Sequence, residues 1–396
     1  MACYKNPEGS PGSMFLFGPL ALLAVVYAWT TASFPWFARH RVVVAALLAS
    51  LWLVELLTYC LFRLGYSATA PRAIVELVLV PLVIAAFPLG AVRVASWGLG
   101  RLVKARPADP PALAAPGPSM TRRQIVEATT GVGILGTTGS LLGWGMIRGR
   151  HAFELVEVPI RIAGLPRALD GYVIAQVSDI HAGTYVGERE LHEGLARVRE
   201  ARPDLVVVTG DIVDIDADYA PLVARKLTDL APRDGVAAAL GNHDYYADEE
   251  RVLAALRAAG VRPLVDEGCV IRAGDGGGFA LLGVDDRWSV RYGKRGPQLE
   301  RALAMVGPEL PRILLSHQPP TVDRWAGQVA LQLSGHTHGG QINLGFRAAD
   351  VFLKYVAGRY AVGRTTLYVN RGFGTVGTPS RVGAPPEVTR FVLVAG

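Results

Sequence analysis

Apolar and polar positions divide this chain into two regions with different periods. Residues 14–34 form an uncharged apolar run, residues 42–62 a second interrupted only by Glu55, and residues 73–92 a third containing Glu76, Pro81 and Pro88. Each is long enough to cross a hydrocarbon core about 30 Å thick. A cleaved signal peptide would be shorter and would not be followed by two more such runs. Glu55 and Glu76 can be read as functional intramembrane acids or as residues facing a neighbouring helix or an interface.

Residues 107–119 (PADPPALAAPGPS) have no periodicity and read as a Pro/Ala-rich linker. Arg122 and Arg123 then precede a fourth apolar run, residues 128–147, which contains six glycines. A twin arginine before a mild apolar run resembles a twin-arginine export signal, from which Ile125, Val126 and Glu127 depart. The alternative is a pair of stop-transfer arginines before an ordinary helix. Gly131, Gly133 and Gly136 have the spacing of a dinucleotide-binding fingerprint, but no strand precedes them, which excludes that reading. Gly139 and Gly143 have the small-xxx-small spacing of helices packed in lipid.

From residue 153 the period changes. Alternation over 153–162 predicts a strand, and short runs rich in β-formers at 172–177, 205–208, 236–240, 270–282, 313–315, 329–333, 366–370 and 389–394 predict more. Helical periodicity over 188–201, 222–230 and 249–259 alternates with them. The chain is therefore expected to hold an N-terminal α-helical transmembrane region of three helices (1–106), a linker with the twin arginine (107–123), a fourth transmembrane helix or signal-anchor (124–150), and an α/β domain (151–396).

Composition agrees with this division. Hydrophobic residues make up 51% of the chain, and mean hydropathy is +0.29. The net charge of +6 is not a nucleic-acid signal. Residues 1–150 hold 13 Lys and Arg against 5 Asp and Glu, and the remainder hold 27 against 29. The excess base flanks the apolar runs, where it sets membrane orientation, and the near-neutral domain excludes nucleic acid as a partner. Cys3, Cys60 and Cys269 form no metal-binding or redox pair.

Five predicted strands end in residues that bind metals. The strand ending at 177 is followed by Asp179 and His181, that ending at 208 by Gly210-Asp211, and that ending at 240 by Gly241-Asn242-His243-Asp244. The last two are followed by His317 and by Gly335-His336-Thr337-His338. Ligand sites of open α/β sheets collect beyond the carboxyl ends of strands, so five ends are expected to face one crevice. Carboxylate, imidazole and amide oxygen without thiolate select manganese, iron or zinc at mixed N/O sites. Asp-x-His and His-x-His suit strand ends because alternate side chains leave the same face. Any one of these short motifs is more often a surface turn or loop; the ordered set of five is not.

The ordered set resembles the calcineurin-like metallophosphoesterases, whose pattern is D-x-H, G-D, G-N-H-[DE], a lone His and G-H-x-H, over roughly residues 153–396. Residues 335–342 (GHTHGGQI), 370–374 (NRGFG) and Arg381 with Pro386-Glu387 resemble its membrane-linked branch. The resemblance implies a four-layer α-β-β-α sandwich of two mixed sheets. It also implies two divalent metal ions, expected to be Mn²⁺ with Zn²⁺ or Fe²⁺ as alternatives. Asp179, His181 and His338 would bind the first, Asn242, His317 and His336 the second, and Asp211 would bridge both. His243 would be the catalytic imidazole, oriented by Asp244. The implied reaction is hydrolysis of a phosphodiester or pyrophosphate by a metal-bridging hydroxide.

Arg287, Arg291 and Arg295 lie in a basic, aromatic segment and are weak candidates for holding an anionic headgroup or second phosphate; a solvated loop is the plainer reading. The expected partners are a membrane and a phosphorylated lipid or small molecule. Three readings compete with a lipid-linked or envelope phosphodiester: a UDP-2,3-diacylglucosamine pyrophosphatase, a phosphatase for a soluble nucleotide or sugar phosphate, and a scaffold that has lost catalysis. The intact ligand set argues against the last. Arg39 and Arg41 in the first loop, and six bases between Arg93 and Arg123, outnumber those on the other side. The catalytic domain is therefore expected outside the cytoplasm of a bacterial plasma membrane.

Overall fold

The structure is a computed structural model. It describes residues 12–63, 122–183, 185–272 and 277–396, with a few positions between 82 and 95. The third apolar run lies mostly, and the Pro/Ala-rich residues 107–119 wholly, outside the described residues, while Arg122 and Arg123 of the expected linker open a helix. The chain divides into two units, Met1–Gly143 and Trp144–Gly396.

In the first unit, helices Gly12–Ser33, Pro35–Arg39 and Arg41–Arg63 take up the first two apolar runs; helix Arg122–Ile147 takes up the fourth, and its last residues, from Trp144, belong to the second unit. Leu23 packs with Leu48, Trp52 and Leu82, and Trp29 and Leu89 pack with Phe34, Ile134 and Leu135. The glycine that makes this packing possible is Gly131, where a Cβ would lie 1.7 Å from the Trp29 ring. Gly139 and Gly143, expected to form the packing face, meet nothing within 4 Å. Among the described residues, one helical stretch, Ile125–His151, is long and apolar enough to cross a membrane; Leu23–Ser33 and Arg41–Val54 are shorter apolar helices.

The second unit is built on two six-stranded mixed sheets. The strands are β1 (Glu154–Ile162), β2 (Val173–Val177), β3 (Leu205–Thr209), β4 (Val236–Ala239), β5 (Arg262–Pro263), β6 (Glu267–Arg272), β7 (Gly278–Gly283), β8 (Arg312–Leu315), β9 (Leu331–Ser334), β10 (Gly358–Val362), β11 (Thr365–Val369) and β12 (Glu387–Ala395). Their orders are β1-β12-β2-β3-β4-β5 and β10-β11-β9-β8-β7-β6. The run at 270–282 is not one strand but the antiparallel pair β6 and β7, divided by the Gly-rich stretch around residues 274–277. β2, β3 and β4 run parallel in one sheet, and β7, β8, β9 and β11 in the other.

Strand alternation explains the layers. In β3, Leu205 and Val207 face an inter-sheet core with Ile174, Phe279, Leu281, Ile313 and Leu333. Val206 and Val208 face the opposite way, against Leu191, Leu195 and Val198 of helix Glu188–Ala201 and Val223 of helix Ala220–Thr228. On the far side of the second sheet, Leu282 and Leu314 pack with Leu299, Ala302 and Trp325 of two short helices. Both faces of these strands are buried, so they read as continuous apolar runs.

Candidate metal centre

The parallel strands β2, β3 and β4 of one sheet and β8 and β9 of the other carry the motifs just past their carboxyl ends. The chain leaves them through unusual backbone. Asp179, His181, Asp211, His336 and His338 all have φ between +49° and +71°, the left-handed region that non-glycine residues seldom enter. Such conformations persist only where the surroundings impose them, and they cluster at functional sites.

Here the imposing contacts are visible. Gly210 O accepts from Asp179 N at 3.0 Å, and Asp211 O accepts from His181 N at 3.0 Å. Phe373 N and Gly374 N donate to Ser178 O and Asp179 O at 2.8 and 2.7 Å. The NRGFG segment is thus a brace for the first motif. Arg381, fully buried, braces the brace: its guanidinium donates to Gly374 O, Arg371 O and Ala384 O, and Nη2 lies 3.2 Å from His338 Nδ1. Gly335 is required by proximity, since a Cβ there would lie 1.9 Å from Ser178 Oγ.

The side chains converge as two groups. Asp179, His181 and His338 offer ligand atoms within 4.8 Å of one another, and so do Asp211, His317 and His336. His181 Nε2 and His338 Nε2 face each other at 3.0 Å, with Asp179 Oδ1 3.5 Å from the latter. His336 Nδ1 and His317 Nε2 face each other at 3.1 Å. One oxygen, Asp211 Oδ2, reaches both groups, at 3.5 Å from His181 Nε2 and 3.2 Å from His317 Nε2. Asn242 Oδ1 is buried with no hydrogen-bond partner, which is costly for an amide oxygen unless a cation or other group satisfies it. Paired ring nitrogens, carboxylates reaching them and an orphaned buried oxygen are a donor set that divalent metals fit.

Electrostatics divide the cluster: burial lowers His317, but Asp211, Asp179 and Asp286 outweigh it and raise it well above the usual imidazole range, whereas two other imidazoles are lowered. Burial, reinforced by His317, pushes His336 down to about 3. Burial, with His181 and Arg381 beside it, holds His338 well below the usual imidazole range. Both are kept in the neutral form that donates a lone pair. Burial pushes Asp211 up, but His317, His243 and His181 outweigh it and hold the carboxyl well below its ordinary range.

His243 sits beside the first group, its ring centroid 4.4 Å from that of His181. Asp244, expected to orient it, does otherwise: its oxygens accept from the backbone N–H of Ile212, Val213 and Gly241 at 2.9, 3.2 and 2.8 Å. It ties the end of β3 to the end of β4. The group that engages His243 is Asp214, through its carbonyl at 2.9 Å and Oδ1 at 3.1 Å from Nδ1. Asp214 was not legible as a site residue: a lone acid in a loop carries no motif. Burial lowers His243, but Asp211 and Asp214 outweigh it and raise it to about 9.

Of the three arginines considered for substrate, Arg291 stacks over Trp288 at 3.8 Å, and Trp288 contacts Tyr246, which contacts His243 at 4.8 Å between centroids. Arg287 and Arg295 are exposed and make no such link among the described residues.

Strand ends of both sheets thus deliver carboxylates and imidazoles to one cluster of candidate metal ligands, the kind of site a metallophosphoesterase carries. Residues 172–340 match the calcineurin-like phosphoesterase family. The chain is 34% identical over 284 residues to an uncharacterized metallophosphoesterase, YkuE, of Bacillus subtilis, covering 69% of this chain and 98% of that protein. It is 34% identical over 267 residues to the zebrafish transmembrane protein with metallophosphoesterase domain, covering 65% of this chain and 61% of that one. It is 29% identical over 289 residues to the phosphodiesterase YaeI of Escherichia coli, covering 69% and 100%. The chain belongs to the calcineurin-like phosphoesterase family.

Proposed function

We propose that this chain is a membrane-anchored phosphodiesterase that uses two divalent metal ions, Mn²⁺ best among them. The observation that carries this reading is the pair of ligand groups joined through Asp211. Asp179, His181 and His338 would hold one ion, Asn242, His317 and His336 the other, and Asp211 both. When bound, such a pair activates water and neutralises charge on the phosphoryl oxygens. The chain's own residues do the rest. His243, with Nδ1 engaged by Asp214, has Nε2 left for proton transfer to the leaving oxygen. Asp244 fixes the two strand ends that carry Asp211 and Asn242. Trp288 and Arg291 offer a flat, cationic wall for the part of the substrate beyond the scissile bond.

A phosphodiester is favoured over a monoester by analogy with the E. coli relative's name. A lipid-linked or envelope substrate is favoured by the apolar helices in the same chain. Val42, Val43, Leu47, Leu53 and Leu57 are all more than half exposed, as residues facing lipid would be. Chelation should abolish turnover of bis-p-nitrophenyl phosphate by the full chain in detergent, and Mn²⁺ should restore it best. Turnover that survives exhaustive chelation would refute metal catalysis, and a preference for p-nitrophenyl phosphate would move the reading to a monoesterase.

The multi-span arrangement and the extracytoplasmic catalytic domain rest on the basic residues between apolar runs. Alkaline phosphatase fused after Gly396 should be active and green fluorescent protein dark. The reverse pattern would put the domain in the cytoplasm, where a UDP-sugar lipid becomes the better substrate.

A further inference from the structure

The catalytic unit presents an apolar surface that the metal centre does not use. It follows the last ligand motif. Leu344, Phe346, Val351, Phe352 and Leu353 are 38%, 68%, 73%, 85% and 45% exposed. Five large apolar side chains within ten residues form the kind of exposed patch that marks an interaction site. The segment is not a loose excursion. Asn343 Nδ2 donates to Gly339 O and Gly383 O at 3.0 and 3.1 Å, Thr337 Oγ1 donates to Val356 O, and Leu353 N donates to Ala349 O at 2.8 Å. It is therefore tied at both ends to the turn that carries His336 and His338.

What covers this patch follows from its neighbours. Ile342 pairs with Val382, and Asn343 N donates to Val382 O at 2.7 Å. Against that same segment, within the same unit, lies the stretch from Trp144 that ends the apolar helix Arg122–Ile147. A Cβ at Gly145 would meet Ser380 Oγ at 2.2 Å and Val382 Cγ2 at 2.8 Å, and one at Gly149 would meet Arg381 O at 2.0 Å. On this helix end, Trp144 and Ile147 are 54% and 73% exposed. Val376, also exposed, is held by Gln341 through both its N–H and its carbonyl. Three apolar surfaces thus radiate from the pairing of residues 341–343 with 380–382. One of them is the end of the stretch, Ile125–His151, that is apolar enough to cross a bilayer. A tryptophan at such an end sits at the level of the headgroups.

We propose that residues 344–353 are a membrane-docking loop: Phe346, Val351, Phe352 and Leu353 enter the lipid interface beside the end of helix Arg122–Ile147 and hold the His336–His338 edge of the metal centre at the bilayer surface. The proposal rests on the membrane-anchored reading for the presence of a bilayer, and not on the reaction assigned to the site. It explains how a hydrolytic centre reaches a phosphoester at headgroup level without extracting the lipid.

The test uses the full chain with Cys3, Cys60 and Cys269 replaced by serine, reconstituted in phosphatidylethanolamine–phosphatidylglycerol vesicles. One cysteine is introduced as Phe352→Cys or, for comparison, as Met305→Cys, which replaces another exposed apolar residue. Each is labelled with an environment-sensitive fluorophore. The label at 352 should emit to the blue, resist aqueous iodide and be quenched by acyl-chain nitroxides, while the label at 305 remains open to iodide. Equal iodide access at both positions would overturn the proposal. So would self-quenching at 352 that follows protein density without nitroxide quenching, which would put a second copy there. A Phe346→Ser/Phe352→Ser variant should keep its turnover of soluble bis-p-nitrophenyl phosphate. It should lose roughly tenfold or more on a vesicle-embedded phosphodiester, the least that losing one buried Phe predicts. If no phosphodiester is turned over at all, the assigned reaction fails while the fluorescence result still decides the loop.

Discussion

Asp211→Asn is expected to reduce turnover by roughly 10³-fold or more, since each 1.4 kcal/mol is a tenfold effect and metal stabilisation of transition-state charge is worth several. Asp211 is the residue whose single oxygen approaches His181 of one ligand group and His317 of the other, while its second oxygen accepts the His243 N–H at 2.8 Å. Asparagine keeps the size of the side chain and tolerates the left-handed backbone, φ +53°, that this position requires. A folding defect is therefore not the expected cause. What changes is charge and chemistry: one oxygen becomes an NH₂ that repels a cation, and the negative charge shared by both groups disappears. Elemental analysis of the full chain should show depletion at both metal positions. An Asp179→Asn variant, which touches one group, should deplete one. Full metal content with near-wild-type turnover in Asp211→Asn would dispose of the bridging role.

The parts of this architecture that the sequence declares are those in which local chemistry and tertiary role coincide. Helix Glu188–Ala201 and strand Leu205–Thr209 have complete apolar faces, and periodicity alone locates both. The metal motifs are legible because each sits at a strand end, where a carboxylate or imidazole has no structural reason to recur. Other features exist only through distant partners. β5 is two residues, Arg262 and Pro263, and counts as a strand only because β4 lies beside it; a proline at a sheet edge gives no β signal. β6 and β7 merge in the sequence because both are apolar and only five residues separate them. The role of Asp244 was misplaced for a related reason. Adjacency to His243 suggests an orienting partner, yet in the short helix Asn242–Ala247 successive side chains diverge. The carboxylate of Asp244 turns back to the Gly241 N–H, and Asp214, twenty-nine residues upstream of His243, meets the imidazole across the crevice. The packing glycine of the fourth apolar run shows the same limit: small-residue spacing says that a close approach is possible, and the partner Trp29 decides that it occurs at Gly131.

His243→Ala is expected to keep its metals and lose rate, by about 10²- to 10⁴-fold. The geometry leaves a specific rival, because His181, Asp211 and His243 also bring their ligand atoms within 4.8 Å of one another. If His243 were a ligand, its removal would cost metal and activity together. Two facts favour a proton-transfer role. Its Nδ1 is taken up by the carbonyl and carboxylate of Asp214, so this nitrogen is the donor of that bond and Nε2 is the atom left for chemistry. Burial alone would lower the imidazole, but the charges of Asp211 and Asp214 outweigh it and carry it to about 9. A proton donor matters most when the leaving group is a poor one. The loss in His243→Ala should therefore be large for an alkyl phosphodiester and much smaller for bis-p-nitrophenyl phosphate, whose nitrophenolate departs without a proton. Equal losses on both substrates with unchanged metal content would assign His243 to charge stabilisation instead, and a loss of metal matching the loss of rate would make it a ligand.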